Sequence, residues 1–176
     1  MSVLLLSAAQ NKMPLCFISI GSNINREHNI SSALDALQCT FGSIRHSSTY
    51  ESSSVGFTGD AFYNLVIAFH SDKEALDIAL LLKRIETDHG RVPKQEKFSS
   101  RTLDLDLLLY DHHIIATDAL NIPHNDILNY AFVLEPLAEI APEQQHPVKN
   151  VCYLKLWQEF DKSTTEQQKV KQNLAK

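Results

Sequence analysis

The sequence predicts an α+β domain of the ferredoxin-like, split βαβ kind: an antiparallel sheet with helices on one face, followed by small C-terminal helices. Three observations predict it. Between residues 15 and 110, apolar runs and helical periodicities follow the order strand, helix, strand, strand, helix, strand. Glycines and polar clusters punctuate the junctions. The chain has 176 residues, 44% apolar and 21% charged, which suits one domain with a real core.

The elements follow in order. Residues 15–20, LCFISI, read as a buried strand. The Gly21-Ser22-Asn23 turn ends it and is at most a weak phosphate-binding turn. Over 26–41, Ile30, Ala33, Leu34, Leu37 and Phe41 fall on one helical stripe, and Gly42 is a stop. Residues 43–51 read as a mixed-polarity strand, 52–61 as a loop and 62–70 as a third strand. Residues 73–88 form a second helix with Asp72 as its cap, a stripe of Leu76, Ala79, Leu80 and Ile85, and Gly90 beyond its end. A polar, basic loop over 91–100 leads into a strand over 103–110. Short strands at 114–115 and 120–122 are expected, then small helices near 126–140 and 153–160 packed on one edge. Residues 1–13 are read as a poorly ordered extension, 14–162 as a single domain, and 163–176 as a frayed helix or polar tail.

Composition narrows the function. A net charge of −5 gives no support to nucleic-acid binding. The run Val3-Leu4-Leu5-Leu6 has no basic flank and is too short to cross a membrane. Cys16, Cys39 and Cys152 are odd in number and widely spaced, which fits free thiols in a reducing compartment. A monomer in the cytoplasm is expected.

The sharpest chemical feature is RTLDLDLLLY at 101–110. Residues two apart on a strand share a face, so Asp104 and Asp106 project together and Leu103, Leu105 and Leu107 face the other way. Adjacent carboxylates repel, and magnesium is a natural partner, since it takes one or two carboxylates and completes its shell with phosphate oxygens and water. By itself the pair is equally well two solvated aspartates on an exposed strand. Arg91, Lys94, Lys97 and Arg101 just before it offer cations for phosphates, although such runs are more often solvated loops. No GxxxxGK[ST] motif is present, so the chain is not a P-loop enzyme.

With KFSSRTLDLDLLLY at 97–110 stand ISIGSN at 18–23, Phe62 and Asn64, Glu86 with Gly90-Arg91, Pro123-His124, and the run from Phe132 to Pro142, FVLEPLAEIAP. In these six places and in this order, the chain resembles the 6-hydroxymethyl-7,8-dihydropterin pyrophosphokinase family over about residues 15–160. The resemblance implies transfer of pyrophosphate from ATP to a dihydropterin alcohol in folate biosynthesis, with two magnesium ions held by Asp104 and Asp106. It implies that Arg91 and Arg101 contact the phosphates. Phe62 and Phe132 would sandwich the pterin, Asn64 would read its edge, and backbone groups at Ser52 and Val55 would complete the pocket. Lys94, Phe98, Arg101 and His124 would meet ATP. It leaves the role of Glu86 open.

The chain departs from the family in several places. Tyr130 stands where an arginine usually precedes the stacking phenylalanine by two residues, Pro93 stands where a second arginine is common, and Ser52-Ser53-Ser54 replaces a threonine–proline pattern. Ser99 replaces a Gly or Ala, and Phe98 the tryptophan of some members. Fewer cations imply weaker phosphate binding, unless Lys83 faces the site. A non-catalytic pterin- or nucleotide-binding relative on the same fold is the alternative.

Overall fold

The computed structural model describes residues 13–91, 99–163 and 166–170. The expected extension over 1–13 lies outside these apart from Met13, as do Lys94 and Phe98.

The elements are β1 (Leu15–Ser22), α1 (Arg26–Phe41), β2 (Arg45–His46), β3 (Tyr50–Ser52), β4 (Phe62–His70), α2 (Ala75–Asp88) and β5 (Asp104–Tyr110). After them come β6 (Ile115–Ala116), β7 (Asn121–Ile122), α3 (Asp126–Asn129), α4 (Ala131–Ile140), α5 (Tyr153–Glu159) and β8 (Gln167–Lys169). The main sheet runs β5-β1-β4-β3-β8, with β2 also paired to β4, and every pairing is antiparallel. With β2 and β3 counted as one interrupted strand, this is the ferredoxin-like arrangement that the sequence predicts.

Helix α1 buries Ile30, Ala33, Leu34 and Leu37, as its stripe requires, and Phe41 stacks on Phe69 at 4.2 Å. Helix α2 is turned from its expected phase. It buries Ala75, Ile78, Leu82, Ile85 and Glu86, while Leu76 and Leu80 are 46% and 57% exposed. The helix is leucine-rich around most of its circumference, so two phases fit the pattern. A glutamate on the true inner face made that face look polar. The helix starts at Ala75 after Glu74, with no side-chain cap, rather than being capped by Asp72.

The strand expected over 43–51 is broken at Ser47. There the Ser47 N–H donates to Val66 O (2.9 Å) and the Val66 N–H donates to Ser47 Oγ (3.0 Å), so a hydroxyl stands in for one ladder carbonyl. The C-terminal helices do not sit at an edge. α4 and α5 cover the face opposite α1 and α2, packing on Phe17, Val66, Ala68 and Leu108. Strands β1 and β4 are accordingly buried on both faces, which is why they read as continuous apolar runs. Part of the expected polar tail is strand β8, which pairs with β3 at the sheet edge. Backbone hydrogen bonds hold it, including Val170 N–H to Thr49 O (2.8 Å), so it needs no apolar alternation.

Candidate active site

Strand β5 sets the site. Leu105 and Leu107 point into the core under α1 and α2, so Asp104 and Asp106 emerge on the α4 face. The mutual repulsion of two carboxylates is met by three cations. Arg91 Nη1 donates to Asp104 Oδ1 (2.8 Å), and Arg101 Nη1 to Asp104 Oδ2 (2.6 Å). Lys83 Nζ lies 3.3 Å from Asp106 Oδ1. Lys83 thus faces the site and adds a charge that the loop sequence alone did not promise.

Glu86 organises two of these cations. Its carboxylate is buried on α2, and Oε1 accepts from the Leu105 N–H (2.7 Å), from Lys83 Nζ (2.9 Å) and from Arg91 Nη1. Burial raises the Glu86 pKa, and Lys83 is the largest opposing influence. The Lys83 pKa is also raised: burial pulls it down, and Asp106 and Glu86 more than offset that. Past the helix end, Gly90 takes φ 81°, a left-handed turn open to glycine. The turn sends Arg91 back over the helix, where its N–H meets Glu86 O (3.0 Å) and its guanidinium meets Asp104.

The turn after β1 anchors Arg101. Asn23 Oδ1 accepts from the Arg101 N–H (2.7 Å), and Ser22 Oγ donates to Thr102 O (2.6 Å). Gly21 leaves the centre of the site open. A Cβ there would sit 3.2 Å from Asn64 Oδ1 and 3.9 Å from both Asp104 Cβ and a Phe62 ring carbon.

Asn64 is buried and donates to Ser52 Oγ (2.9 Å). Phe62 meets Phe57 edge-on at 6.3 Å. Phe132 stacks on Tyr130, with centroids 4.9 Å apart and planes 17° apart, so the residue in the arginine position has become part of an aromatic platform. Asn64, Asp104, Asp106, Asp126 and Phe132 line a cavity of about 40 Å³. Ser52, Val55, Tyr130, Phe132 and Gln167 line a neighbouring cavity of about 830 Å³. Phe132 lies on the wall of both.

His124 follows the Ile122–Pro123 cis bond, and its N–H donates to Leu108 O (2.9 Å). Asp106, His124 and Asp126 each place a donor atom within 4.8 Å of the others. Asp126 was not anticipated from the sequence, because the β5–α3 approach that brings it near has no local signal. Burial raises its pKa; His124 opposes this, and Asp106 and Asp104 reinforce it. Carboxylate oxygens around one imidazole suit a divalent cation, and the Asp104 and Asp106 oxygens suit magnesium.

The family model for 7,8-dihydro-6-hydroxymethylpterin-pyrophosphokinase (HPPK) matches residues 17–142. The chain belongs to the HPPK family. The 2-amino-4-hydroxy-6-hydroxymethyldihydropteridine pyrophosphokinase of Haemophilus influenzae is 36% identical over 135 residues, covering 74% of this chain and 84% of that protein. Its Aquifex aeolicus counterpart is 30% identical over 155 residues, covering 87% and 94%. A folate synthesis bifunctional protein of Arabidopsis thaliana is 36% identical over 126 residues, covering 70% of this chain and 26% of that protein. Wild-type HPPK-DHPS of Plasmodium falciparum superposes with a TM-score of 0.66 at 15% identity, over 86% of this chain and 42% of that one, and shares the fold. The HPPK domain thus occurs both as most of a protein and as a fraction of a longer one. Among the described residues, no helix is long and apolar enough to cross a membrane.

Proposed function

We infer that this chain transfers the pyrophosphoryl group of ATP to 6-hydroxymethyl-7,8-dihydropterin, giving AMP and the pterin diphosphate. One observation carries this reading: a carboxylate pair on β5, ringed by Arg91, Arg101 and Lys83, shares a cavity wall with Asn64 and Phe132. Phosphate chemistry and heterocycle binding are thereby adjacent.

The pterin slots between Phe62 and Phe132, where a flat ring gains from stacking. Asn64, with backbone groups at Ser52 and Val55, reads its polar edge. The 40 Å³ space is too small for a bicyclic ring, so Phe132 or the 52–61 loop moves as substrate enters. Arg91 and Arg101, paired with Asp104 beforehand, turn to the phosphates when ATP arrives, and Lys83 remains on Asp106. Lys94, Phe98 and His124 complete the ATP side. Asp104 and Asp106, with His124 and Asp126 close to Asp106, are the residues that would hold two magnesium ions, which would supply Lewis-acid polarisation and charge neutralisation at the phosphates. The pterin hydroxyl oxygen then bonds to the β-phosphorus and gives its proton to solvent, as the bond from that phosphorus to the α-phosphate oxygen breaks and AMP leaves. The free thiols Cys16, Cys39 and Cys152 support a reducing, cytoplasmic setting, and we take the chain to act as a monomer.

The test is AMP release from ATP and magnesium, with and without the pterin alcohol. AMP that appears only with the pterin supports the reading; no AMP overturns it. Pterin binding without turnover would favour a non-catalytic relative, the reading that Tyr130 in the arginine position supports.

A further inference from the structure

Gln167, the first residue of β8, joins two parts of the pterin pocket, β3 at Ser52 and the first turn of α4. In the β3–β8 ladder it pairs with Ser52, whose Oγ accepts from Asn64 Nδ2 at 2.9 Å. Its side chain runs to α4, where Nε2 donates to Ala131 O at 3.4 Å and to the Glu135 carboxylate. Ala131 immediately precedes Phe132, and Glu135 lies one turn further along the helix. One residue therefore connects the loop that reads the pterin edge to the helix that carries the stacking ring. Ser52, Phe132 and Gln167 also share the wall of the 830 Å³ cavity.

The neighbouring residue reinforces the link. The Ser53 N–H donates to Glu166 O (3.2 Å), and Ser53 Oγ donates to Glu166 Oε2 (2.8 Å). Gln167 Oε1, by contrast, is buried with no partner among the described residues.

We propose that Gln167 is a positioning residue of the pterin pocket, setting the distance between Ser52 and Phe132 and hence the width of the slot for a flat bicyclic heterocycle. Within the pyrophosphokinase reading on which this rests, it governs pterin affinity and leaves ATP handling untouched.

The experiment compares wild type, Q167A, Q167E, E135Q and the exchange variant Q167E/E135Q. Pterin binding is followed by the quenching of pterin fluorescence, turnover by AMP at saturating ATP, and folding by thermal melts. In Q167E two carboxylates face each other and the link opens. In Q167E/E135Q the amide and carboxylate change places and the hydrogen bond between 167 and 135 can re-form, while the one to Ala131 O stays lost. Q167A and Q167E are expected to weaken pterin binding about tenfold, the order set by one charge-assisted hydrogen bond. The KM for ATP and kcat stay near wild type, and the exchange variant recovers part of the pterin affinity lost in Q167E. Unchanged pterin affinity in Q167A and Q167E, equal loss of ATP and pterin affinity, or an exchange variant as weak as Q167E overturns the positioning role. A wild type that binds pterin but releases no AMP leaves the affinity test standing and defeats the enzyme reading alone.

Discussion

The Leu105 N–H donates to Glu86 Oε1 at 2.7 Å, which pins a buried carboxylate of α2 to the peptide between Asp104 and Asp106. The same oxygen receives Lys83 and Arg91, so the geometry of the carboxylate pair and of two of its cations depends on one residue. Replacing Glu86 by Ala leaves the Leu105 N–H unpaired and the two cations without their shared anion. It is expected to cost about 3 kcal/mol of stability, the order for removing one partner of a buried ion pair. Glu86→Gln keeps an acceptor for Leu105 and should cost less. Urea unfolding of the two variants checks the order.

Lys83 offers the cation on Asp106. Lys83→Met keeps most of the side-chain length and removes the charge. Turnover should fall by roughly one to two decades, the equivalent of a charged hydrogen bond of about 1.5–3 kcal/mol. Lys83→Arg should recover part of it. Steady-state kinetics at saturating pterin give the comparison.

Tyr130, where the family resemblance leads one to expect an arginine, stacks on Phe132. Tyr130→Arg should lower the KM for ATP by up to about tenfold by adding a phosphate contact. The lost ring–ring contact, worth about 0.5–1.5 kcal/mol, should raise the KM for pterin. The two constants moving in opposite directions is the expected result.

Glu139 ties α4 to the sheet edge. It accepts from the Ser48 N–H and Oγ, from Tyr50 Oη (2.7 Å) and from Lys169. Burial alone would raise its pKa, but the hydrogen bonds from Tyr50 and Ser48 outweigh it and hold the pKa below the usual carboxylate value. A depressed native pKa gives stability that is present above the unfolded value and lost as pH falls through the native one. The stability gap between wild type and Glu139→Gln should therefore be constant from neutral pH down to about 5 and narrow at lower pH. Unfolding curves at a series of acidic pH values measure it.

Much of this architecture is legible in the sequence wherever a short period governs it. Ile30, Ala33, Leu34 and Leu37 declare the inner face of α1, and the period of two places Asp104 beside Asp106 without further help. Legibility ends where tertiary pairing decides. Glu86 lies on the buried face of α2 because a distant peptide N–H awaits it, and sequence periodicity counts it as a solvent residue. Asp126 joins Asp106 and His124 through the approach of α3 to β5. Gln167 belongs to an edge strand whose partners are backbone groups, which polar side chains neither favour nor betray. The continuous apolar runs of β1 and β4 signal that both faces of the sheet need cover, but nothing local says that α4 and α5 supply it.

The most direct measurement uses ATP labelled at both the β- and γ-phosphates, with magnesium and the pterin alcohol. Chromatography should show both labels together on the pterin and unlabelled AMP in equal amount, and Asp106→Ala should abolish the transfer while the protein stays folded. Label released as orthophosphate, labelled ADP as the product, or full transfer by Asp106→Ala would contradict the account.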